Sequence, residues 1–154
     1  MEWLRAAAAF LVLAGAPVAH AEVRVIDGDT LDVHGVKTRL WGIDAPEGKQ
    51  SCQRDGVAWL CGQEAARALR DLVEGKAVAC RTVDRDRYKR SVAMCTADGV
   101  EVNAWLVREG WALDYRRYSK GEYASAEKEA REAKRGLWAG TFMAPWEWRR
   151  KRSP

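Results

Sequence analysis

The stretch RVIDGDTLDVHGVKTRLWGIDAPE, residues 24–47, places many charged groups among residues that favour β-strands. It contains four aspartates, one glutamate and two arginines. Half-buried strands usually alternate apolar and polar side chains, so a concentration of acids in this segment requires a specific reason. Asp27, Asp29, Asp44 and Glu47, with Arg39 between them, are therefore the first candidates for functional residues.

The remaining sequence predicts a single small domain of class α+β. Residues 23–33 and 36–43 predict two strands joined by a turn at His34-Gly35, and residues 77–97 predict a hairpin. Apolar spacing and glycine stops predict three helices, which lie within residues 62–75, 101–110 and 121–136. Short strands with one helix between them and two helices after them favour a small closed barrel, because a parallel sheet would need regular strand-helix alternation.

The first 21 residues differ from the rest of the chain. Arg5 precedes an apolar run that ends in Ala-His-Ala, which is typical of a secretory signal peptide cleaved near Ala21–Glu22. A short membrane anchor or a buried helix is the alternative, but the run is shorter than the roughly 20 residues that span a bilayer. We expect a protein secreted or retained in the periplasm, with a domain over residues 22–140 and an aromatic, basic tail over residues 141–154.

Cysteine content agrees with export. The four cysteines include no CxxC pair, and His34 is the one histidine after residue 21, so a disulfide framework is favoured over a zinc site. A hairpin centred between Arg87 and Tyr88 would place Cys80 opposite Cys95 at a separation that a disulfide can span. That pairing leaves Cys52 with Cys61.

The residue inventory excludes several hydrolytic chemistries. One histidine is too few for a histidine pair, and the sequence contains no P-loop, GxSxG or HExxH motif. Carboxylates suit a hard cation, whereas the planar fork of arginine suits a phosphate, so the combination points to phosphodiester cleavage. The net charge of +4 and pI near 9.0 suit a polyanionic partner. The alternative is that each acid is an ordinary turn or strand-end residue.

Four segments in order, VIDGDT, TRLWGIDAPE, DRYKR and GLW, resemble the thermonuclease family, whose module is the staphylococcal-nuclease-like domain. The resemblance covers about Val23 to Trp138. It implies a five-stranded OB-fold barrel with three helices and a monomeric, Ca²⁺-dependent nuclease that acts on DNA and RNA and leaves 3′-phosphate ends. A binding module of the same fold that holds nucleic acid without cutting it is the rival hypothesis.

The resemblance also assigns roles to individual residues of this chain. The implied ligands of one Ca²⁺ ion are Asp29, Asp44 and the backbone carbonyl of Ala45. The implied catalytic residues are Glu47, which positions or deprotonates the water, and Arg39 and Arg90, which contact the scissile phosphate. Asp27 and Thr30 match residues that support the metal ligands, and Tyr88 and Tyr118 match tyrosines around the bound nucleotide.

The disulfide framework leads to the first testable prediction. Alkylation of the denatured, non-reduced chain should leave its mass unchanged, because all four thiols are already paired. Reduction before alkylation is the control and should add four alkyl groups. Four modified cysteines without reduction would contradict the predicted framework.

Overall fold

The computed structural model describes residues 22–153, and its first three strands form an antiparallel meander. The signal peptide predicted for residues 1–21 lies outside the described residues. The strands are β1 (Val23–Asp27), β2 (Thr30–Val33), β3 (Val36–Leu40), β4 (Ile43–Asp44), β5 (Cys52–Arg54), β6 (Val57–Trp59), β7 (Val78–Arg85), β8 (Ser91–Ala97), β9 (Val100–Glu101) and β10 (Leu113–Asp114). The helices are α1 (Cys61–Val73), α2 (Val102–Arg108), α3 (Arg116–Ser119), α4 (Ala124–Glu132) and α5 (Pro145–Arg152), with a 3₁₀ turn over Gly136–Ala139.

The predicted single strand over residues 23–33 is wrong, because the chain reverses at Gly28-Asp29 and pairs β1 with β2. The Asp29 amide donates a hydrogen bond to the Asp27 carboxylate at 3.1 Å, which is a local turn bond of the kind aspartate favours. Gly28 is required by space, since a Cβ atom there would lie 2.8 Å from the Ala45 Cβ and 3.0 Å from the Ala65 Cβ. The turn therefore packs tightly between the loop after β4 and helix α1.

The two predicted hairpin turns and both disulfides are confirmed. His34 and Gly35 adopt φ values of 54° and 83°, which suit the tight turn between β2 and β3. Strands β7 and β8 pair with Cys80 opposite Cys95, and these two cysteines are bonded. The second disulfide joins Cys52 to Cys61.

The main sheet has six strands and is not the closed five-stranded barrel that the sequence predicted. Its order is β1-β2-β3-β8-β7, with β9 paired to β8, and β3 runs parallel to β8. Within residues 22–153, β1 and β7 are not hydrogen-bonded to each other, so the sheet stays open. Helix α1 packs against β1, which covers that strand without closing the sheet.

The number of helices also differs from the prediction of three. The segment 121–136 forms the shorter helix α4, and the single turn α3 precedes it. The tail, for which the sequence predicts no helix, contains α5 with Pro145 in its first turn, where the missing amide hydrogen costs no helical hydrogen bond. None of the helices within residues 22–153 is long and apolar enough to cross a membrane.

Two hydrophobic clusters organise the domain. The larger one lies between the main sheet and helices α1, α2 and α4, with Leu31, Leu69 and Leu106 completely buried. The smaller one contains the Cys52–Cys61 disulfide, Leu113 and Leu137, and the tail packs against it through Trp138, Phe142 and Trp146. The smaller cluster therefore attaches the C-terminal segment to the body of the domain.

Gly62 provides a test of the packing beneath the acidic loop. A Cβ atom at this position would lie 1.8 Å from the backbone oxygen of Glu47, so Gly62→Ala should lower the free energy of unfolding by about 1–3 kcal/mol, the usual cost of overpacking. Alanine otherwise favours a helix interior, so a loss cannot come from helix propensity. Urea denaturation measures the change.

The matched control for Gly62 is Gly48→Ala, because a Cβ atom at Gly48 meets no heavy atom within 4 Å. This variant should unfold at the same urea concentration as the wild type. Equal stability of the Gly62 and Gly48 variants would contradict the close approach of α1 to Glu47.

Candidate active site

The predicted acidic residues converge at one cleft of about 680 Å³. The first β-turn, the end of β3, the loop after β4, the β7–β8 tip, α3 and α5 all contribute to its walls. The predicted site residues that line it are Asp27, Asp29, Arg39, Ala45, Glu47, Tyr88, Arg90 and Tyr118. Asp44 lies directly beneath the cleft and is completely buried.

Asp29 is held by groups from three neighbouring segments. Its Oδ1 accepts a hydrogen bond from the Thr30 hydroxyl at 3.1 Å, and its Oδ2 accepts one from the Ala45 amide at 2.9 Å. Arg39 forms a longer ion pair with Oδ1 at 3.4 Å. These contacts, with the Asp27 bond to the Asp29 amide, fix the carboxylate against the loop that carries Ala45.

Asp44 receives the strongest set of contacts in the site. Arg39 Nη2 lies 3.1 Å from its Oδ1, while Arg149 Nη1 and Nη2 lie 2.9 Å and 2.7 Å from Oδ1 and Oδ2. The Arg149 guanidinium therefore grips both oxygens of the carboxylate, which is the bidentate geometry that makes arginine–carboxylate pairs strong. Strand β10 secures the backbone here, because Leu113 pairs with Asp44.

Glu47 is linked to the same arginine and to a buried glutamine. Arg149 Nη1 lies 2.6 Å from Glu47 Oε1, and the glutamate side chain remains 33% exposed. Gln50 accepts a hydrogen bond from the Glu47 amide through Oε1 and donates one from Nε2 to the Met143 carbonyl at 2.7 Å. Gln50 is completely buried, so it couples the loop of Glu47 to the segment before α5.

The acids outnumber the bases that contact them. Four carboxylates (Asp27, Asp29, Asp44 and Glu47) face two guanidinium groups (Arg39 and Arg149). Burial, followed by the negative charge of Asp29, raises the pKa of Asp27 to about 6. Burial also raises the pKa of Asp44, although hydrogen bonds from Arg149 act in the opposite direction. The acids on the floor of the cleft thus outnumber the guanidinium groups that contact them, which favours an additional cation.

Arg90 lines the same cleft but forms its ion pair elsewhere. Its Nε lies 2.6 Å from Asp86 Oδ2, and the Asp86 carboxylate also accepts hydrogen bonds from the Tyr88 and Arg90 amides. Partial burial acts to raise the pKa of Asp86, but these hydrogen bonds and the charge of Arg90 outweigh it, so the pKa lies below its usual value. Lys89 in the same tip takes a φ of 63°, a left-handed conformation that allows the tip to close.

Tyr88 and Tyr118 stand at the rim of the cleft with large exposed surfaces. Tyr88 is 65% exposed beside Arg90, and Tyr118 is 54% exposed. Tyr118 packs edge-on against Tyr115, whose ring stacks on Trp146 of α5 with a centroid separation of 5.2 Å. The two exposed rings therefore offer flat apolar surfaces above the charged floor.

The donor chemistry fits a hard cation. Asp29, Asp44 and the Ala45 carbonyl would supply oxygen ligands, the type that Ca²⁺ and Mg²⁺ prefer, and water would complete the coordination. In the part of the chain that the structure describes, no group of three or more His, Cys, Asp and Glu side chains is placed to hold a metal ion. A cation here would therefore be held by only two carboxylates, those of Asp29 and Asp44, together with the Ala45 carbonyl and water. Asp44 would have to offer it a lone pair that no arginine occupies.

Sequence reasoning missed two residues of the site. The sequence predicts Arg149 only as part of an aromatic, basic tail and indicates no role for Gln50. Pro145, followed by Trp146 and Trp148, was the available signal that the tail forms a packed helix. The position of Arg149 next to Asp44 carries no local signal, because the two residues are 105 positions apart.

Comparisons with known proteins agree with the geometry. The family model described as staphylococcal nuclease homologue matches residues 37–140, more than half of the chain. A protein named uncharacterized endonuclease from Escherichia coli O157:H7 is 38% identical over 137 residues, covering 84% of each chain. A micrococcal nuclease from Shigella flexneri is 36% identical over 169 residues, covering 96% of this chain and 92% of that protein.

A relative whose name indicates a different function is also similar. The succinoglycan biosynthesis protein ExoI of Rhizobium meliloti strain 1021 is 40% identical over 120 residues, which are 76% of this chain and 63% of that protein. The chain therefore spans less than two thirds of the length of ExoI. The family match begins within β3 and ends after the 3₁₀ turn, so it includes Arg39, Asp44, Glu47 and Arg90 but not Asp27, Asp29 or Arg149.

Gln50 provides a test of how the Glu47 loop is held. Gln50→Ala should lower the free energy of unfolding by about 1–3 kcal/mol, because it leaves two partly buried groups without their partner, the Glu47 amide and the Met143 carbonyl. The control is Gln53→Ala, because the Gln53 side chain is exposed. Chemical denaturation measures both variants, and equal stability would refute the bridging role of Gln50.

Proposed function

The chain belongs to the staphylococcal nuclease family, and on that premise we propose that it is a calcium-dependent nuclease. The proposed reaction is hydrolysis of phosphodiester bonds in DNA and RNA to leave 3′-phosphate ends. The observation that carries the proposal is the convergence of Asp29, Asp44 and Glu47 with Arg39 in a cleft that Arg90 also lines. Relatives that are named endonuclease and micrococcal nuclease support it.

The proposed mechanism assigns water activation to Glu47. Its carboxylate is one-third exposed, so it can accept a hydrogen bond from a water in the cleft and take up that water's proton. The water oxygen then forms a bond to phosphorus in line with the 5′ oxygen, and the bond from phosphorus to that oxygen breaks. Solvent water protonates the leaving 5′ oxygen, and Glu47 then releases its proton to solvent, which leaves a 3′-phosphate and a 5′-hydroxyl.

The arginines would stabilise the negative charge that grows on the phosphoryl oxygens. Arg39 is held by two carboxylates on the floor, and Arg90 is oriented by Asp86, so both guanidinium groups are preorganised before substrate arrives. A bound Ca²⁺, held by Asp29, Asp44 and the Ala45 carbonyl, would supply a further positive charge for the same oxygens. Tyr88 and Tyr118 would pack against the nucleotide with their exposed rings.

The proposal includes export and a monomeric state. Two disulfides join cysteines of this domain, and such bonds persist mainly in oxidising compartments. This supports removal of residues 1–21 and action in the periplasm or outside the cell. The mature chain would then begin at Glu22.

The direct test is digestion of single-stranded DNA, duplex DNA and RNA in Ca²⁺, in Mg²⁺ and in excess chelator. Wild-type protein should cut in Ca²⁺, and Glu47→Gln should lose about 10²- to 10⁴-fold in rate, the usual contribution of a general base. Glutamine preserves the size of the side chain and an acceptor for Arg149. A folded protein that binds DNA without cutting it would instead establish the non-catalytic binding module.

The role of Arg90 has its own test. Arg90→Ala should lower the rate by about 10²- to 10³-fold, the cost of losing one donor to a developing negative charge. Arg85→Ala is the matched control, because Arg85 is an exposed arginine of the same hairpin. Equal rates for the two variants would refute the assignment of Arg90 to the transition state.

A further inference from the structure

The most informative contact outside the predicted site is the insertion of Arg149 into it. Its guanidinium contacts both oxygens of Asp44 and one oxygen of Glu47, at distances of 2.6–2.9 Å. These two acids are the proposed cation ligand and the proposed base. One side chain from the last helix thus engages the two groups on which the proposed chemistry depends.

The structure holds α5 over the cleft at its N-terminal end. Pro145 is buried, and Trp146 stacks on Tyr115 with an interplanar angle of 7°. Gln50 donates to the Met143 carbonyl just before the helix. These contacts place the first turns of α5 beside Glu47 and direct Arg149 toward Asp44.

The C-terminal end of α5 lies at the protein surface. Arg150, Lys151 and Arg152 are exposed, and the Arg149 side chain itself is 36% exposed. Arg149 can therefore leave the acids by side-chain rotation and fraying of the last turn, while Trp146 stays stacked. Helix ends fray readily, so this movement requires no rearrangement of the domain.

A cation and Arg149 cannot satisfy the same oxygens at once. Asp44 already accepts from Arg39, and Arg149 occupies both of its oxygens, which leaves little lone-pair capacity for a metal. A divalent ion beside the guanidinium would also meet a like charge at close range. In addition, Arg149 occupies Oε1 of Glu47, an oxygen that would otherwise be available to the attacking water.

We propose that Arg149 is a built-in substitute for the cation, which occupies Asp44 and Glu47 in the cation-free protein and is displaced when the cation binds. The inference rests on the proposed function, because it takes Asp44 as a cation ligand and Glu47 as the base. It makes α5 an intramolecular competitor that sets the concentration of Ca²⁺ at which the site becomes active.

The test is calorimetric titration of the full mature chain with Ca²⁺, independent of activity. Arg149→Gln should bind Ca²⁺ more tightly than wild type by roughly 5- to 150-fold, the usual size of coupling between two binding events. Arg150→Gln is the matched control, because it removes the same charge from the same helix at an exposed position, and its affinity should equal that of the wild type. Should Arg149→Gln fail to fold, Arg149→Lys keeps the charge without the fork and should also bind more tightly.

A second measurement follows the helix itself. Amide hydrogen exchange in residues 149–152 of the wild type should become faster on addition of Ca²⁺, because the displaced arginine no longer holds the last turn. Equal Ca²⁺ affinity of Arg149→Gln and wild type, or weaker binding by the variant, would overturn the inference alone. An absence of Ca²⁺ binding by every variant, wild type included, would overturn the inference together with the calcium dependence proposed above.

Discussion

The buried carboxylate of Asp44 is the constraint around which the site is arranged. A completely buried anion is costly unless it is paired and hydrogen-bonded, and here two arginines from distant parts of the chain pair with it. Arg39 comes from the main sheet and Arg149 from the last helix, so the ion pairs connect the two ends of the domain. The same two arginines reach the other acids, because Arg39 also pairs with Asp29 and Arg149 also pairs with Glu47. The ion pairs of Asp44 therefore bring Asp29, Glu47 and the last helix together at the cleft.

The prediction from sequence succeeded where the information is local. The His34-Gly35 turn and the pairing of Cys80 with Cys95 both depend on residues that are close in sequence and on strand geometry. The prediction failed at Gly28, because Val, Ile and Thr on both sides mask a reversal that depends on packing against Ala45 and Ala65. The prediction of a closed barrel failed for a similar reason. Whether β1 pairs with β7 or is covered by α1 depends on contacts between residues that are far apart in sequence.

The C-terminal segment shows most clearly what a sequence conceals. Arg149 begins a run of four basic residues whose local pattern is that of a solvated terminus. What distinguishes it is the tertiary packing of α5, which depends on Trp146 meeting Tyr115 and on Gln50 meeting the Met143 carbonyl. Neither contact has a short-range signature, so a residue that contacts both Asp44 and Glu47 carries no motif of its own.

The most direct measurement for this account is a crystal structure of the mature chain with Ca²⁺ and an uncleavable oligonucleotide. The account predicts a calcium ion at about 2.3–2.6 Å from the oxygens of Asp29 and Asp44, with Arg149 withdrawn from Asp44 and Arg39 on the scissile phosphate. Calcium bound elsewhere, with Arg149 still paired to both Asp44 and Glu47 beneath the oligonucleotide, would contradict it.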